Sequence, residues 1–571
     1  MTTAINLVRH FRHLRALVIG DAMLDTYLEG SAARLCSEGP VPVVRKTAEH
    51  RIPGGAANTA ANLRALDADV IFLGLIGPDI AGTLLRTALR QQGINDQWLV
   101  EDSTAQTLHK LRILADGQYV VRFDEGTTFG GIESQQRLIA MLEETYPLCD
   151  LVIVSDYHYG VLSDKLIEHL RILHNAQPKP LLIDSKALYR FRDLEATIVT
   201  PNLLEAQLLV GETTRYDDPA ASAGQYSRDD PCGRPAGETE GRPMAGRPQG
   251  IAPTQYDDPA AAVADGSAAV TGRSEFFAQV ERVAQQLLTT LKAHHVAITL
   301  AEHGVFLLDR YGSTTYIPAH PVAHANDVGA GDSFASAMAL SLAARGTLEE
   351  AARIGIDAAS IAVTKQRTAI VQYQELLQRV SLREYTAYGS SDRPGHDHDA
   401  LTRLSSLLDV ERLVGRRIVF TNGVFDILHA GHVQFLRQAK ALGDMLVVGI
   451  NSDRGTQRLK GAGRPINNER DRMALVEALD AVDAVILFDE DTPTELIRAL
   501  RPAIHVKGGD YADEALPEAE AVREYGGQII ILPLVGTMST STVIDRISEL
   551  SYEADRRGPM YRAQGGDGGQ A

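Results

Sequence analysis

Short apolar runs separated by amphipathic helical patterns leave this chain few folds to adopt. ALVIG (16–20), VIFLGLIG (70–77), DLVIVSD (150–156), PLLID (180–184), ATIVTPN (196–202) and VAITL (296–300) have the β-branched, apolar composition of strands buried on both faces. Apolar residues between them recur at helical spacing, as in Phe276, Val280, Val283, Leu287 and Leu291. Strands alternating with helices predict an α/β fold, a mostly parallel sheet covered on both faces. TLHKLRILADGQYVVRFD (107–124) breaks the rhythm: two strand-like runs meet at Asp116-Gly117, a hairpin turn signal. A hairpin projecting from an α/β body suits a lid or a subunit contact.

Two stretches interrupt the pattern. Residues 212–274 are rich in Gly, Pro, Ala and Asp, with YDDPAA twice and GRP three times. So little apolar surface does not offset the entropy of ordering, and a disordered surface insertion is expected. YGSSDRPGHDHD (388–399) is a polar break, after which RRIVFTNGVFDIL and MLVVGIN (445–451) begin a fresh βαβ unit. The expected organisation is a first domain over 1–380, a linker over 381–412, a second domain over 413–552 and a disordered tail over 553–571.

A net charge of −18 argues against a general nucleic-acid binder. No apolar run is long enough to span a bilayer, and the first twenty residues lack a signal-peptide core. Three scattered cysteines, Cys36, Cys149 and Cys232, form no zinc-ligand spacing and fit a reducing compartment. The expected location is the cytoplasm, with no membrane and no nucleic-acid partner.

TNGVFDILHAGH (421–432) places His429 and His432 three apart around a glycine, between a strand and a helical stretch. A zinc site needs further ligands at suitable spacing, which nothing nearby supplies cleanly. A core role serves one histidine more easily than two. Phosphate handling fits better: a helix N-terminus offers free N–H groups and positive potential, and two imidazoles there can stabilise developing phosphoryl charge. The HAGH element, followed by RLKGAGRP (458–465), NNERDRMALVEAL (467–479), HVKGGDY (505–511) and STSTVIDRI (539–547), resembles the cytidylyltransferase-like nucleotidyltransferases, with their HxGH signature on a Rossmann-like fold. The resemblance implies that His429 and His432 are catalytic. It also implies that Lys460 and Arg472 neutralise phosphate and that Ser541 and Thr542 bind phosphate at a helix start.

In the first domain, NDVGAGDSFASAMALSLA (326–343) is a small-residue loop opening a helix. Backbone N–H groups in such a turn can hold a phosphoryl group in flight, and Asp332 at its edge is either a plain helix cap or a general base. With GDAMLD (20–25), SEGPVPVV (37–44), PGGAANTAANL (53–63), KLRIL (110–114) and TPNLLEA (200–206), it resembles the ribokinase-like pfkB sugar kinases, and more narrowly the heptose 7-phosphate kinases. That resemblance implies Asp332 as catalytic base and Gly329, Ala330 and Gly331 as anion hole. Asn202 and Glu205 would organise Mg2+–ATP, with Glu205 reaching the metal through water. Asp21, Asp25, Gly55, Asn58 and Lys186 would bind the sugar substrate, and the hairpin would be the lid and the contact of a homodimer. The chain departs from the family pattern at Asn326 (usually Asp), Tyr159 (commonly Lys) and Ser185 (usually Pro).

A kinase of this type followed by an HxGH domain resembles the bifunctional enzymes of ADP-heptose synthesis, with ATP as co-substrate of both steps. The alternatives are a kinase-like domain kept as a binding scaffold, or the same two reactions on another sugar phosphate.

Overall fold

The computed structural model describes residues 3–211, 268–320, 322, 326, 328–389, 398–509, 516–533 and 546. Ser541, Thr542, residues 212–267 of the expected insertion and the tail over 553–571 lie outside them. The chain forms two compact units, one of residues 9–372 and one in which residues 3–8 join 373–571.

In the first unit the expected strands appear as β1 (Arg15–Gly20), β4 (Asp69–Ile76), β8 (Leu151–Asp156), β9 (Leu181–Ser185), β10 (Ile198–Val199) and β11 (His295–Thr299), with β5 (Leu99–Glu101) at one edge. The order is β13-β12-β11-β10-β9-β8-β1-β4-β5, where β12 (Val305–Asp309) and β13 (Thr314–Ile317) are antiparallel additions and the rest is parallel. Leu17, Ile19, Leu73, Val152, Val154, Ile183, Val296 and Ile298 are buried, as strands covered on both faces require.

The hairpin is present as β6 (Leu108–Ala115) and β7 (Gln118–Glu125), but it is half of a larger structure. β2 (Ala22–Leu35) and β3 (Pro42–Gly55) pair antiparallel, and β2 adds to β6, giving a separate sheet ordered β3-β2-β6-β7. Neither β2 nor β3 is among the strands expected from the sequence. A projecting sheet has no apolar run to announce it: the outer half of β2 and most of β3 are partly or fully exposed.

Helix Ala268–Leu291 begins seven residues before the expected end of the insertion, so 268–274 is helical rather than disordered. That stretch contains no proline, and it runs directly into the apolar repeat that starts at Phe276. The linker expectation also meets structure: helices Tyr373–Gly389 and His398–Leu413 occupy most of 381–412, and Leu404, Leu407 and Leu408 are fully buried in the second unit.

The second unit holds a parallel sheet of β14 (Ile418–Gly423), β15 (Met445–Asn451), β16 (Ala484–Phe488), β17 (Ile504–Gly508) and β18 (Gln528–Leu532), ordered β16-β15-β14-β17-β18. Side chains alternate between its faces: Ile418, Phe420, Met445 and Val447 enter one core, Val419, Leu446 and Val448 the other. The order reverses between β14 and β17, the switch point at which open α/β sheets bind ligands beyond their strand C-termini. No described helix is long and apolar enough to cross a membrane.

Candidate active sites

In the first unit, Gly329 caps helix Ala330–Ala343 at φ 86°, and a Cβ there would lie 2.9 Å from the Ala369 nitrogen. Only glycine combines that conformation with that approach. A Cβ at Gly331 would meet none of the described residues within 4 Å, so the helix start faces space that they leave open. Asp332, in the first turn, does not cap the helix. Its carboxylate accepts hydrogen bonds from Asn58 Nδ2 (2.7 Å) and Thr59 Oγ1 (3.0 Å), with the Tyr157 hydroxyl at 3.5 Å. Burial, opposed by the Asn58 and Thr59 hydrogen bonds, leaves its pKa above the usual aspartate value. Asn58 and Thr59 come from helix Ala56–Ala65, which Asn62 ties to the same helix start: its Oδ1 accepts from Ser333 Oγ (2.9 Å) and its Nδ2 donates to the Ala369 carbonyl (3.0 Å).

The other expected substrate residues divide. Asp21 does not face open space: its carboxylate accepts backbone N–H groups of Tyr157 (2.8 Å), Tyr159 (3.1 Å) and Val161 (3.3 Å), and burial pushes it up to about 6. It holds the 157–161 loop, which places Tyr157 beside Asp332. A Cβ at Gly55 would lie 2.7 Å from the Asp21 carbonyl, so Gly55 serves close backbone packing. Asp25 is paired with Arg112 of β6 at 2.8 Å and accepts from Thr368 Oγ1 at 2.8 Å.

Asn202 and Glu205 form a capping box on helix Leu203–Val210. The other Glu205 oxygen pairs with Lys186. Asp184 is pushed up to about 7 by burial and by the nearby charges of Asp332 and Glu205. Tyr159, where the family commonly has lysine, is partly buried against the apolar core. Lys110 of β6 and Lys186 instead lie 5.6 and 6.0 Å from the Tyr157 ring centre, bringing two ammonium groups around it. Asn326 Nδ2 donates to the Lys365 carbonyl at 3.0 Å, which secures the loop leading to Gly329.

Sequence reasoning passed over Thr59, Tyr157, Lys110 and Arg112 as individual site residues. Lys110 and Arg112 lie two apart on β6 and so share one face of that strand.

In the second unit, His429 is the N-cap residue of helix Ala430–Lys440 and His432 lies in its first turn. Their rings stack with centroids 3.9 Å apart and Phe425 lies 5.4 Å from His432. Both Nδ1 atoms are buried without a hydrogen-bond partner among the described residues. Burial, then His429 and Lys460, pull the His432 pKa down to about 4, so this imidazole is neutral at pH 7. Lys460 ends helix Asp453–Lys460, and its pKa is lowered by burial and by Arg464. Among the described residues no group of three His, Cys, Asp or Glu side chains is arranged as a metal cage.

Arg472 departs from expectation. Its side chain is fully buried and its guanidinium donates to the Val424 carbonyl (2.6 Å), the Asn467 carbonyl (3.0 Å) and Asp453 Oδ1 (2.7 Å). It ties the loop before His429 to helix Glu469–Glu477 and is closed to a ligand. Asp426, which the sequence reading did not single out, does parallel work: it accepts from Arg464 Nε (2.6 Å) and from the Ile466 (2.7 Å) and Asn467 (3.0 Å) backbone.

The pfkB family carbohydrate kinase model matches residues 14–227 and 264–374, and the cytidylyltransferase-like model matches 420–539. The bifunctional protein HldE of Geobacter sulfurreducens is 33% identical, covering 95% of this chain and 97% of its own. That of Geotalea uraniireducens is 34% identical over the same shares. Among solved structures, Escherichia coli phosphofructokinase-2 in complex with potassium superposes on 64% of this chain and 98% of its own, at 19% identity and TM-score 0.46. The chain belongs to the family of the bifunctional HldE proteins, joining a carbohydrate kinase to a nucleotidyltransferase.

Proposed function

We propose that the chain catalyses two steps of ADP-heptose synthesis. The first unit phosphorylates D-glycero-β-D-manno-heptose 7-phosphate at O1 with ATP. After a separate phosphatase removes the 7-phosphate, the second unit joins heptose 1-phosphate to AMP from ATP and releases pyrophosphate. The observation that carries the kinase half is Asp332, a buried carboxylate held by Asn58 and Thr59 one turn into a helix whose start faces space that the described residues leave open. It takes the proton of the attacking hydroxyl while the backbone N–H groups of 329–331 receive the transferring phosphoryl group.

In the transferase, a phosphate oxygen attacks the α-phosphorus. The stacked pair His429 and His432 donates to the phosphoryl oxygens as charge builds.

Mg2+ enters with ATP as the Mg·ATP substrate. The cluster of Asp184, Asp332 and Glu205, whose mutual repulsion helps raise Asp184, suits a cationic complex, with Glu205 acting through water. Neither unit needs a membrane or a nucleic acid, and the setting is cytoplasmic. A homodimer through the lid is supported by β7, an edge strand on which Tyr119, Val121 and Phe123 are about half exposed.

The test supplies purified protein with heptose 7-phosphate, ATP, Mg2+ and a phosphatase, and identifies the product by mass spectrometry. ADP-heptose supports the proposal. ADP release with a different sugar phosphate and none with this one overturns the choice of sugar.

A further inference from the structure

The geometry points to Lys507 as a further phosphate-binding residue of the nucleotidyltransferase, held in place by Glu518 and Asn422. Lys507 is the penultimate residue of β17 and Asn422 the penultimate residue of β14. These strands are neighbours in the sheet and flank the point where its order reverses. Both residues therefore stand at the strand ends that border the ligand crevice, and β14 leads directly into the loop carrying His429.

The Lys507 ammonium donates to Asn422 Oδ1 at 2.9 Å and pairs with Glu518 Oε1 at 2.6 Å. An ammonium has three donors, so one remains without a partner among the described residues. The Lys507 side chain keeps 19% of its surface exposed, whereas Glu518 keeps 3%. Glu518 is anchored from behind: its Oε1 lies 3.3 Å from Nε2 of the fully buried His505, whose ring stacks on Phe420 at 5.5 Å. Burial opposes the charge of Glu518, but hydrogen bonds from His505 and Lys507 outweigh it and hold the carboxyl at about 2.

A buried ion pair is a weak source of stability, because desolvation consumes most of the attraction. A carboxylate sunk beneath a partly exposed lysine is better explained as a mount that fixes the direction of the remaining donor.

The site also needs that charge. Arg472 is closed in by Val424, Asn467 and Asp453, and Lys460 already has its charge disfavoured by burial and by Arg464. As the sugar phosphate oxygen bonds to the α-phosphorus, the bridging P–O bond breaks and its electron pair leaves with pyrophosphate. Lys507 meets the charge gained by that leaving group. Lys507 touches the nucleotide, and Glu518 is a positioning residue acting through it.

The proposal rests on the nucleotidyltransferase reading and not on which sugar is used. The probe is inorganic pyrophosphate with Mg2+, titrated calorimetrically into the full chain. The same proteins are followed by transfer kinetics, by kinase activity as an internal control and by a thermal melt. Lys507→Ala is expected to weaken pyrophosphate binding at least ~10-fold and to lower transfer kcat/KM ~100-fold, the scale of one lost preorganised donor, with kinase activity unchanged. Lys507→Arg should recover part of both. Glu518→Gln should fall between, with a raised KM for ATP. Lys507→Gln keeps the hydrogen bonds without the charge, and it decides the matter if the alanine variant does not fold. A folded neutral variant that binds pyrophosphate as wild type overturns the proposal. So does a set in which every loss, Lys507→Arg included, simply follows a lowered melting transition. A wild type that binds pyrophosphate but does not use heptose 1-phosphate would sink the sugar assignment and leave this inference standing.

Discussion

Replacing Arg472 with methionine separates a structural tie from a phosphate ligand. The guanidinium makes two hydrogen bonds to carbonyls, at Val424 and Asn467, and one charged contact with Asp453. Hydrogen bonds to a charged group contribute about 1.5–3 kcal/mol each, and the lower end applies because methionine removes a buried charge as well as its partners. The Asp453 side chain is 33% exposed, so solvent screening reduces that pair to at most about 1 kcal/mol. The sum is about 3–4 kcal/mol, a large part of the roughly 5–15 kcal/mol that holds a domain together. At roughly 2–4 °C per kcal/mol for a unit of this size, the melting transition of residues 373–571 should fall by about 6–16 °C. The transition of the kinase unit should stay in place. Differential scanning calorimetry of the full chain resolves the two, and steady-state kinetics below the lower transition should show the KM for ATP changed by less than about 10-fold. An unshifted melt with a KM for ATP raised ~100-fold would mean that Arg472 is a triphosphate ligand and not a structural tie.

Two further outcomes follow from the histidine pair and the buried base. His432→Ala should lower transferase kcat by ~10²–10³-fold with a smaller change in substrate binding, because the lost bond is to charge that develops during reaction; stoichiometric zinc lost with either histidine would contradict this. Asp332 must be ionised to accept a proton, and burial raises its pKa, so the acid limb of kinase kcat/KM should lie above the ordinary aspartate value of about 4. The same raised pKa means the folded state gains stability as pH falls through it. A pH series of melts should therefore show the Asp332→Asn kinase unit at least as stable as wild type at neutral pH, and a lower melt would count against the burial argument.

What the sequence disclosed follows from burial. The parallel strands of both sheets are buried on two faces, so VIFLGLIG and MLVVGIN announce themselves by composition. The β2–β3 pair has no such signature, because polar residues such as Arg45, Lys46 and Glu49 suit a sheet that projects into solvent. Asp332 drew attention because Gly329 before it needs a positive φ, and His429 and His432 because of their spacing around Gly431 at a helix start. Arg472 was legible as a residue but misleading as a role: a motif arginine looks the same on the page whether its guanidinium faces ligand or carbonyl groups. Lys507 and Glu518 are separated by ten positions and meet only through the fold. Asp21 reads as a sugar ligand at a strand end, yet three backbone N–H groups across the sheet claim its oxygens.

On the proposed function one chain carries two independent catalytic sites, one built on Asp332 and one on the His429–His432 pair. The direct test assays Asp332→Asn and His432→Ala separately for ATP-dependent phosphorylation of heptose 7-phosphate and for nucleotidyl transfer from supplied heptose 1-phosphate. Asp332→Asn should abolish phosphorylation and leave transfer within a few-fold; His432→Ala should do the reverse. Mixing the two variants with a phosphatase should restore ADP-heptose formation from heptose 7-phosphate. Near-wild-type phosphorylation by Asp332→Asn, or both activities lost together in folded protein of either variant, would contradict the claim.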